Sequence, residues 1–232
     1  MESKKQALTA SGILIAIGII FGDIGTSPLY VFNAIINQKE ISRDLVLGRV
    51  SCIFWTLTMI TSIKYIYIAL RADNRGQGGI FALYALVRRK ARWIIFPAII
   101  GCSTLLADGF LTPAISISAA VEGIRIFDPS FPTIYVVVVI VIIIFVYQQL
   151  GATRVSSTFG IIMSVWFLAI GAFGAMAWLN HKEVFLALNP VYAFNLLTNY
   201  PGGFWLLGVV FLCTTGAEAL YSDLGQGGKK NI

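Results

Sequence analysis

Long apolar stretches alternate with short polar connections along most of this chain. A helix needs about 20 residues to cross about 30 Å of hydrocarbon, and these stretches reach or approach that length. Because a water-soluble core would interrupt its apolar runs sooner, we predict an all-α integral membrane protein with six transmembrane helices in a single domain, residues 1–232. The predicted helices cover residues 11–36, 46–70, 94–120, 133–150, 157–179 and 202–222.

Composition agrees with a membrane location. Hydrophobic residues make up 57% of the 232 positions and charged residues only 12%, about half the charged share of an ordinary soluble domain. The net charge of +6 does not indicate nucleic-acid binding, because the basic residues cluster in polar connections without interleaved aromatic residues. The three cysteines lie far apart inside apolar runs, so neither a disulfide framework nor a zinc site is predicted.

The distribution of Lys and Arg predicts the orientation of the helices. With the N-terminus in the cytoplasm, eleven of these residues fall in inside segments, five fall in outside segments, and Lys64 lies within the second apolar stretch. Multi-pass membrane proteins carry an excess of Lys and Arg on the cytoplasmic side. We therefore expect a cell-membrane protein with both termini in the cytoplasm.

The first apolar stretch contains residues that interrupt a helix. Gly22, Gly25 and Pro28 stand where Ala or Leu would favour an unbroken helix, and Asp23 lies among them. Proline removes a backbone donor, so carbonyl groups are freed at membrane depth, which proteins tolerate where the backbone lines a cavity. Freed carbonyls beside a carboxylate would suit a dehydrated monovalent cation. A discontinuous first helix with a midplane ion site recurs in transporters built from inverted repeats.

Two further stretches place acids beside hydroxyl groups. Asp108 and Thr112 are one helical turn apart, so their oxygens share a face, and the adjacent Gly109 and Pro113 predict a second break. In the sixth stretch, hydroxyl residues and a glycine directly precede Glu218, which predicts a broken sixth helix. An ionised carboxylate in a membrane span costs about 2.5–3.5 kcal/mol on insertion scales, so these acids need partners or a water-lined cavity. The pattern predicts a site that handles cations.

Three segments resemble the KUP/HAK/KT family of potassium uptake permeases. They read GDIGTSPLY at 22–30, ADGFLTPAISISAAVEG at 107–123 and TTGAEALYSDLG at 214–225. The resemblance implies the LeuT-like inverted-repeat fold of the amino acid, polyamine and organocation superfamily, with twelve membrane helices and discontinuous helices one and six. It also implies potassium–proton symport without a cofactor. On this basis the chain is expected to be the N-terminal half of a longer transporter and to be inactive alone.

The resemblance also assigns roles to residues that match the family motifs. Asp23 and Asp108 would hold the charge of the potassium ion. The implied potassium ligands are Asp23, Tyr30, Asp108, Thr112 and Thr215. The implied proton-handling acids are Glu218 and Glu122. Expected partners are potassium, protons, membrane lipids, the C-terminal half of the transporter and a second copy of the chain.

Two other functions stay open on the sequence. One is an amino acid or polyamine carrier of the same fold, although an acid at the first break would repel a substrate carboxylate. The other is a membrane subunit that scaffolds or regulates a partner, which would not need the acids of the first and third stretches. The sequence shows no nucleophile and base pairing, nucleotide loop or metal cluster, so an enzyme is not predicted.

Overall fold

A computed structural model describes residues 9–36, 42–149, 152–199, 203–227 and 231. This part of the chain is helical and contains no β-sheet, in agreement with the predicted all-α class. The α-helices are α1 (Ala10–Ile19), α2 (Phe21–Ile24), α3 (Ser27–Ile36), α4 (Arg43–Leu57), α5 (Ile80–Val87), α6 (Ile95–Glu122), α7 (Thr133–Gln148), α8 (Ala152–Asn180), α9 (Pro190–Asn199), α10 (Gly203–Phe211), α11 (Ala219–Ser222) and α12 (Leu224–Gly227). A π-helix at Thr58–Ile68 continues α4, and 3₁₀ turns occupy Ala69–Arg71, Arg92–Ile94, Gly123–Ile126, Lys182–Leu188 and Leu212–Thr214.

Each of the six apolar stretches is largely helical where the structure describes it, but the stretches differ in whether they are long enough to cross a membrane. The first stretch is a pair of helices, Ala10–Gly18 and Phe21–Phe32, bent by 56°, and it makes one span if the pair crosses together. The stretch at Thr133–Gln148 has only 16 residues. The described residues therefore support four or five spans and do not confirm six. The four long, apolar segments are Arg43–Arg71, Arg92–Ile126, Val155–Asn180 and Trp205–Ser222.

Glycines bring α1 and α8 into backbone contact. A Cβ atom on Gly18 would lie only 2.6 Å from the backbone nitrogen of Gly160, so no side chain separates the two helices. Small residues permit this approach in membrane helix pairs, where van der Waals packing drives association. α4 and α9 meet in a similar way, since a Cβ on Gly48 would lie 2.9 Å from Leu196 Cβ.

Two buried apolar clusters surround the first and sixth spans. α6 differs, because Thr112 and Val121 are its only buried residues and most of its apolar side chains are exposed. The first and sixth spans therefore form the packed centre of the described structure. One cluster consists of Ala16, Ile20, Ile24, Ala217 and Leu220, and the other of Val31, Cys52, Leu196, Leu206, Val210 and Cys213.

The connection between the second and third spans also packs against the sixth. The Tyr221 hydroxyl donates to the Ala72 carbonyl oxygen at 2.6 Å, and Gly78 lies so close to the Tyr221 backbone that a Cβ would collide with it. The sequence predicted only polar connections at residues 71–93 and 180–201. The structure places α5 in the first and α9 in the second.

Candidate ion-binding site

The first span is interrupted at two places. A turn at Ile20 separates α1 from α2, and a turn at Gly25–Thr26 separates α2 from α3. Pro28 is the second residue of α3. A backbone N–H at this position would have no acceptor within the helix, so the proline removes no helical hydrogen bond, and its fixed φ suits a helix start. The predicted discontinuity is present, and it lies before the proline rather than at it.

Side chains satisfy the carbonyl groups that this break frees. The Asp23 carbonyl oxygen accepts from the Thr26 amide at 3.1 Å, the Thr26 hydroxyl at 3.1 Å and the Ser27 hydroxyl at 2.9 Å. The Gly25 carbonyl oxygen accepts from the indole N–H of Trp166 on α8 at 3.2 Å. A carbonyl oxygen has two lone pairs, so that of Asp23 has no capacity left for an ion. At Asp23, therefore, protein donors already occupy the freed carbonyl oxygen.

The sixth span is interrupted where its hydroxyls and glycine predicted a break. After α10 and a 3₁₀ turn, Thr215 is extended with ψ 141°, and residues 216–218 form turns before α11 begins. Gly216 has φ +83°, and a Cβ there would lie 2.6 Å from Asp23 Cβ and 2.8 Å from Asp23 Oδ2. Glycine is required both for the backbone conformation and for space. The sixth-span backbone thus lies directly against the Asp23 side chain.

A cluster of three hydroxyl groups joins the two breaks. Ser27 Oγ and Thr215 Oγ1 are 2.9 Å apart. The Tyr30 hydroxyl donates to Ser27 Oγ at 2.9 Å and lies 3.2 Å from Thr215 Oγ1. Ser27 Oγ is also 3.4 Å from Asp23 Oδ1. The predicted ligands Tyr30 and Thr215 are therefore brought together beside the Asp23 carboxyl group.

The third span is not broken, contrary to the prediction. α6 continues as one helix through Asp108, Gly109, Thr112 and Pro113. The proline removes only the backbone hydrogen bond to the Gly109 carbonyl, and the helix continues without that bond. The shared face is confirmed, because the Thr112 hydroxyl donates to Asp108 Oδ1 at 2.9 Å.

Carboxyl groups from three spans converge beside a cavity. Asp108 lies within electrostatic range of both Asp23 and Glu218, and the Asp108 and Glu218 side chains line the same cavity. The adjoining cavity has a volume of about 530 Å³, and Asp108, Glu218 and Thr215 contribute to its wall together with Tyr65. The described residues thus assemble acids and hydroxyls that lie far apart in the sequence.

Glu122 does not join this group of acids. It ends α6, about 21 Å along the helix axis from Asp108 at 1.5 Å per residue. Its carboxylate is exposed and lies 2.8 Å from the Arg125 guanidinium. The structure therefore places one of the two predicted proton-handling acids at a helix end, paired with a base.

The sequence did not single out Ser27 or Tyr65. Ser27 was visible as one of two hydroxyls in the first break, but nothing along the chain indicated Thr215 as its partner. Tyr65 lines the cavity and interacts with Glu218, yet in the sequence it is one of several aromatic residues of the second span. Both depend on contacts between spans, which a linear pattern does not contain.

A family model described as the K+ potassium transporter integral membrane domain matches residues 10–232. The chain belongs to the K+ potassium transporter family. This confirms the resemblance to potassium uptake permeases, whose members are transporters and not enzymes.

Curated relatives in this family are named probable potassium transport system protein Kup. The Flavobacterium johnsoniae protein is 56% identical over 100% of this chain and 36% of its own length. The Cytophaga hutchinsonii protein is 54% identical over 98% of this chain and 35% of its own length. The Latilactobacillus sakei protein is 46% identical over 100% of this chain and 36% of its own length. The chain therefore spans just over one third of the length of these K+ potassium transporter relatives. No solved structure matches it.

Proposed function

We propose that the chain is the N-terminal part of a potassium uptake permease in the cell membrane, which imports potassium together with protons. The observation that carries the proposal is the convergence of Asp23, Tyr30, Asp108, Thr112 and Thr215 from the first, third and sixth spans. The relatives, named as potassium transport proteins, supply the identity of the cargo. Their greater length supports a second set of helices completing an inverted-repeat fold.

Side-chain oxygens are the proposed ligands of potassium. The Asp23 and Asp108 carboxylates supply negative charge, and the Tyr30, Thr112 and Thr215 hydroxyls supply neutral oxygens. Because the Asp23 carbonyl is already saturated with donors, backbone oxygens contribute less than the break itself suggested. Each hydroxyl is anchored by a protein hydrogen bond, so the ligands are positioned before the ion arrives.

The proximity of Asp108 and Glu218, which line one cavity, supports coupling to protons. Two carboxylates close together repel each other, so a proton bound at this place would relieve the repulsion. In our scheme Glu218 carries the proton and Asp108 serves potassium. Neutralising one acid favours rocking of the helix bundle to an inward-open state, with both ends of the chain in the cytoplasm. Glu122, paired with Arg125, is not needed in this scheme.

The geometry favours a cation over an amino acid as cargo. A carrier of amino acids holds the substrate carboxylate at the first-helix break with helix N-termini. Here the Asp23 side chain occupies that place, with the Gly216 backbone packed against it. The acids therefore favour a positively charged substrate at this position.

Potassium-limited growth and potassium uptake test the proposal. A strain without its own uptake systems expresses either the 232-residue chain or the full gene product, meaning the protein with any sequence encoded beyond residue 232. We expect uptake by the full gene product and none by the 232-residue chain alone. Asp23→Asn should reduce uptake at least about 100-fold, because a ligand charge inside the membrane is lost.

Asp128→Asn is the matched control for Asp23→Asn. Asp128 lies in an exposed turn, where hydrogen bonds from Ser130 lower the pKa of its carboxyl group. We expect uptake at the unmodified level in this variant. Wild-type uptake in Asp23→Asn, or no uptake by the unmodified full gene product, would contradict the proposed function.

A further inference from the structure

Ser27 occupies the junction between the two broken spans. Its side chain is fully buried, and its hydroxyl oxygen lies within hydrogen-bonding distance of groups on both sides of the junction. These are the Asp23 carbonyl oxygen at 2.9 Å, the Tyr30 hydroxyl at 2.9 Å and Thr215 Oγ1 at 2.9 Å. None of these contacts is needed to start α3, since the proline that follows already suits a helix start.

We propose that Ser27 is a positioning residue of the potassium site, which turns the lone pairs of the Tyr30 and Thr215 hydroxyls toward the ion. The inference rests on the proposed function of these two residues as potassium ligands. Ser27 itself is not assigned as a ligand. Its hydroxyl acts through its neighbours.

Counting donors and acceptors supports this role. A serine hydroxyl has one hydrogen to donate and two lone pairs that accept. Donation to the Asp23 carbonyl leaves both lone pairs of Ser27 to accept from Tyr30 and Thr215. The Thr215 hydrogen has a second protein acceptor, the Leu212 carbonyl oxygen at 2.8 Å. Whether Thr215 donates to Ser27 or to the Leu212 carbonyl, the hydrogens of the Tyr30 and Thr215 hydroxyls point toward protein acceptors. Lone pairs of both oxygens are then left for a cation.

Without Ser27, the two ligand hydroxyls would bond to each other. The Tyr30 oxygen lies 3.2 Å from Thr215 Oγ1, so its hydrogen would turn to that oxygen. This bond would occupy a Thr215 lone pair that the ion needs. The link between α3 and the sixth-span turn would also lose its bridging atom. Affinity for potassium should fall more than the rate of the transport cycle.

The test compares two buried serines in the full gene product. Ser27→Ala should raise the potassium concentration for half-maximal uptake about tenfold, the effect of losing roughly one hydrogen bond, with maximal rate within about twofold. Ser51→Ala is the matched control. Ser51 is also fully buried and donates to a backbone carbonyl, that of Asn189 at 3.1 Å, but it lies outside the site.

A double-mutant cycle with Tyr30→Phe separates positioning from a general structural role. If Ser27 acts through the Tyr30 hydroxyl, adding Ser27→Ala to Tyr30→Phe should change the potassium concentration for half-maximal uptake by less than about twofold. An unchanged half-saturation in Ser27→Ala, an equal shift in Ser51→Ala, or independent effects in the cycle would overturn the inference while leaving the proposed function intact. Absence of potassium uptake by the unmodified full gene product would overturn both.

Discussion

The first and third spans carry the same kinds of residue and fold differently. Each contains an aspartate, a glycine, a threonine and a proline within six residues. The first span breaks before its proline, whereas the third continues as one 28-residue helix. The residues compared are Asp23, Gly25, Thr26 and Pro28 in the first span and Asp108, Gly109, Thr112 and Pro113 in the third.

Packing explains the difference between the two spans. At the first break, Trp166 donates to the Gly25 carbonyl, and a Cβ on Gly25 would lie 2.5 Å from Phe167 Cζ. A Cβ on Gly109 would have no atom of a neighbouring element within 4 Å in the described structure, and the adjacent Phe110 is 71% exposed. A membrane helix can open only where neighbours satisfy the freed backbone groups. The motif permits a break, and the surrounding helices decide whether it forms.

A side chain at Gly216 should destabilise the first break more than any other substitution considered below. In Gly216→Ala the new Cβ would meet the Asp23 side chain, and a φ of +83° is strained for alanine. We expect a loss of about 3 kcal/mol in the free energy of unfolding from clash and backbone strain together. For a chain of this size that lowers the thermal midpoint by about 6–12 °C.

A thiol-reactive dye can follow this unfolding, because Cys52 and Cys213 are buried until the protein opens. Gly208→Ala is the control, since a Cβ at Gly208 of α10 has no described atom within 4 Å. Potassium uptake by the full gene product should also fall at least about tenfold in Gly216→Ala, in line with a displacement of roughly 1 Å at a site. If both alanine variants melted and transported alike, the sixth-span turn would not be what supports the first break.

The sequence predicted helices better than it predicted contacts between them. Apolar length located every long helix, and the glycines with Pro28 located the first break, because both signals are local. Arg49 shows the limit: nothing along the chain indicated that this cation would be fully buried within α4. The short helices α5 and α9 were also missed, since their apolar faces are brief. The partners of Ser27 depend on how distant spans pack, which no local pattern encodes.

Alanine at Gly25 of the first span and at Gly109 of the third should act in opposite directions. Gly25→Ala displaces Phe167 and should cost about 2 kcal/mol through overpacking. Gly109→Ala lies in an exposed, continuous helix and should stabilise it by about 0.5–1 kcal/mol through helix propensity. The thermal midpoints of the two variants, measured with the same dye, should move to opposite sides of the parent. Destabilisation of equal size in both would show that α6 is also opened at its glycine.

The smallest effect is expected from Trp166→Phe. The substitution removes the indole donor to the Gly25 carbonyl and keeps an aromatic ring on α8. Loss of one such hydrogen bond should cost about 1 kcal/mol, or about 2–4 °C in thermal midpoint. Trp178→Phe on the same helix is the control, because its edge-to-face contact with Phe185 at 5.3 Å does not require the indole N–H. A midpoint equal to that of Trp178→Phe would mean that water or another group satisfies the Gly25 carbonyl. The packing of aromatic rings around Gly25, without the indole hydrogen bond, would then explain why the first span breaks and the third does not.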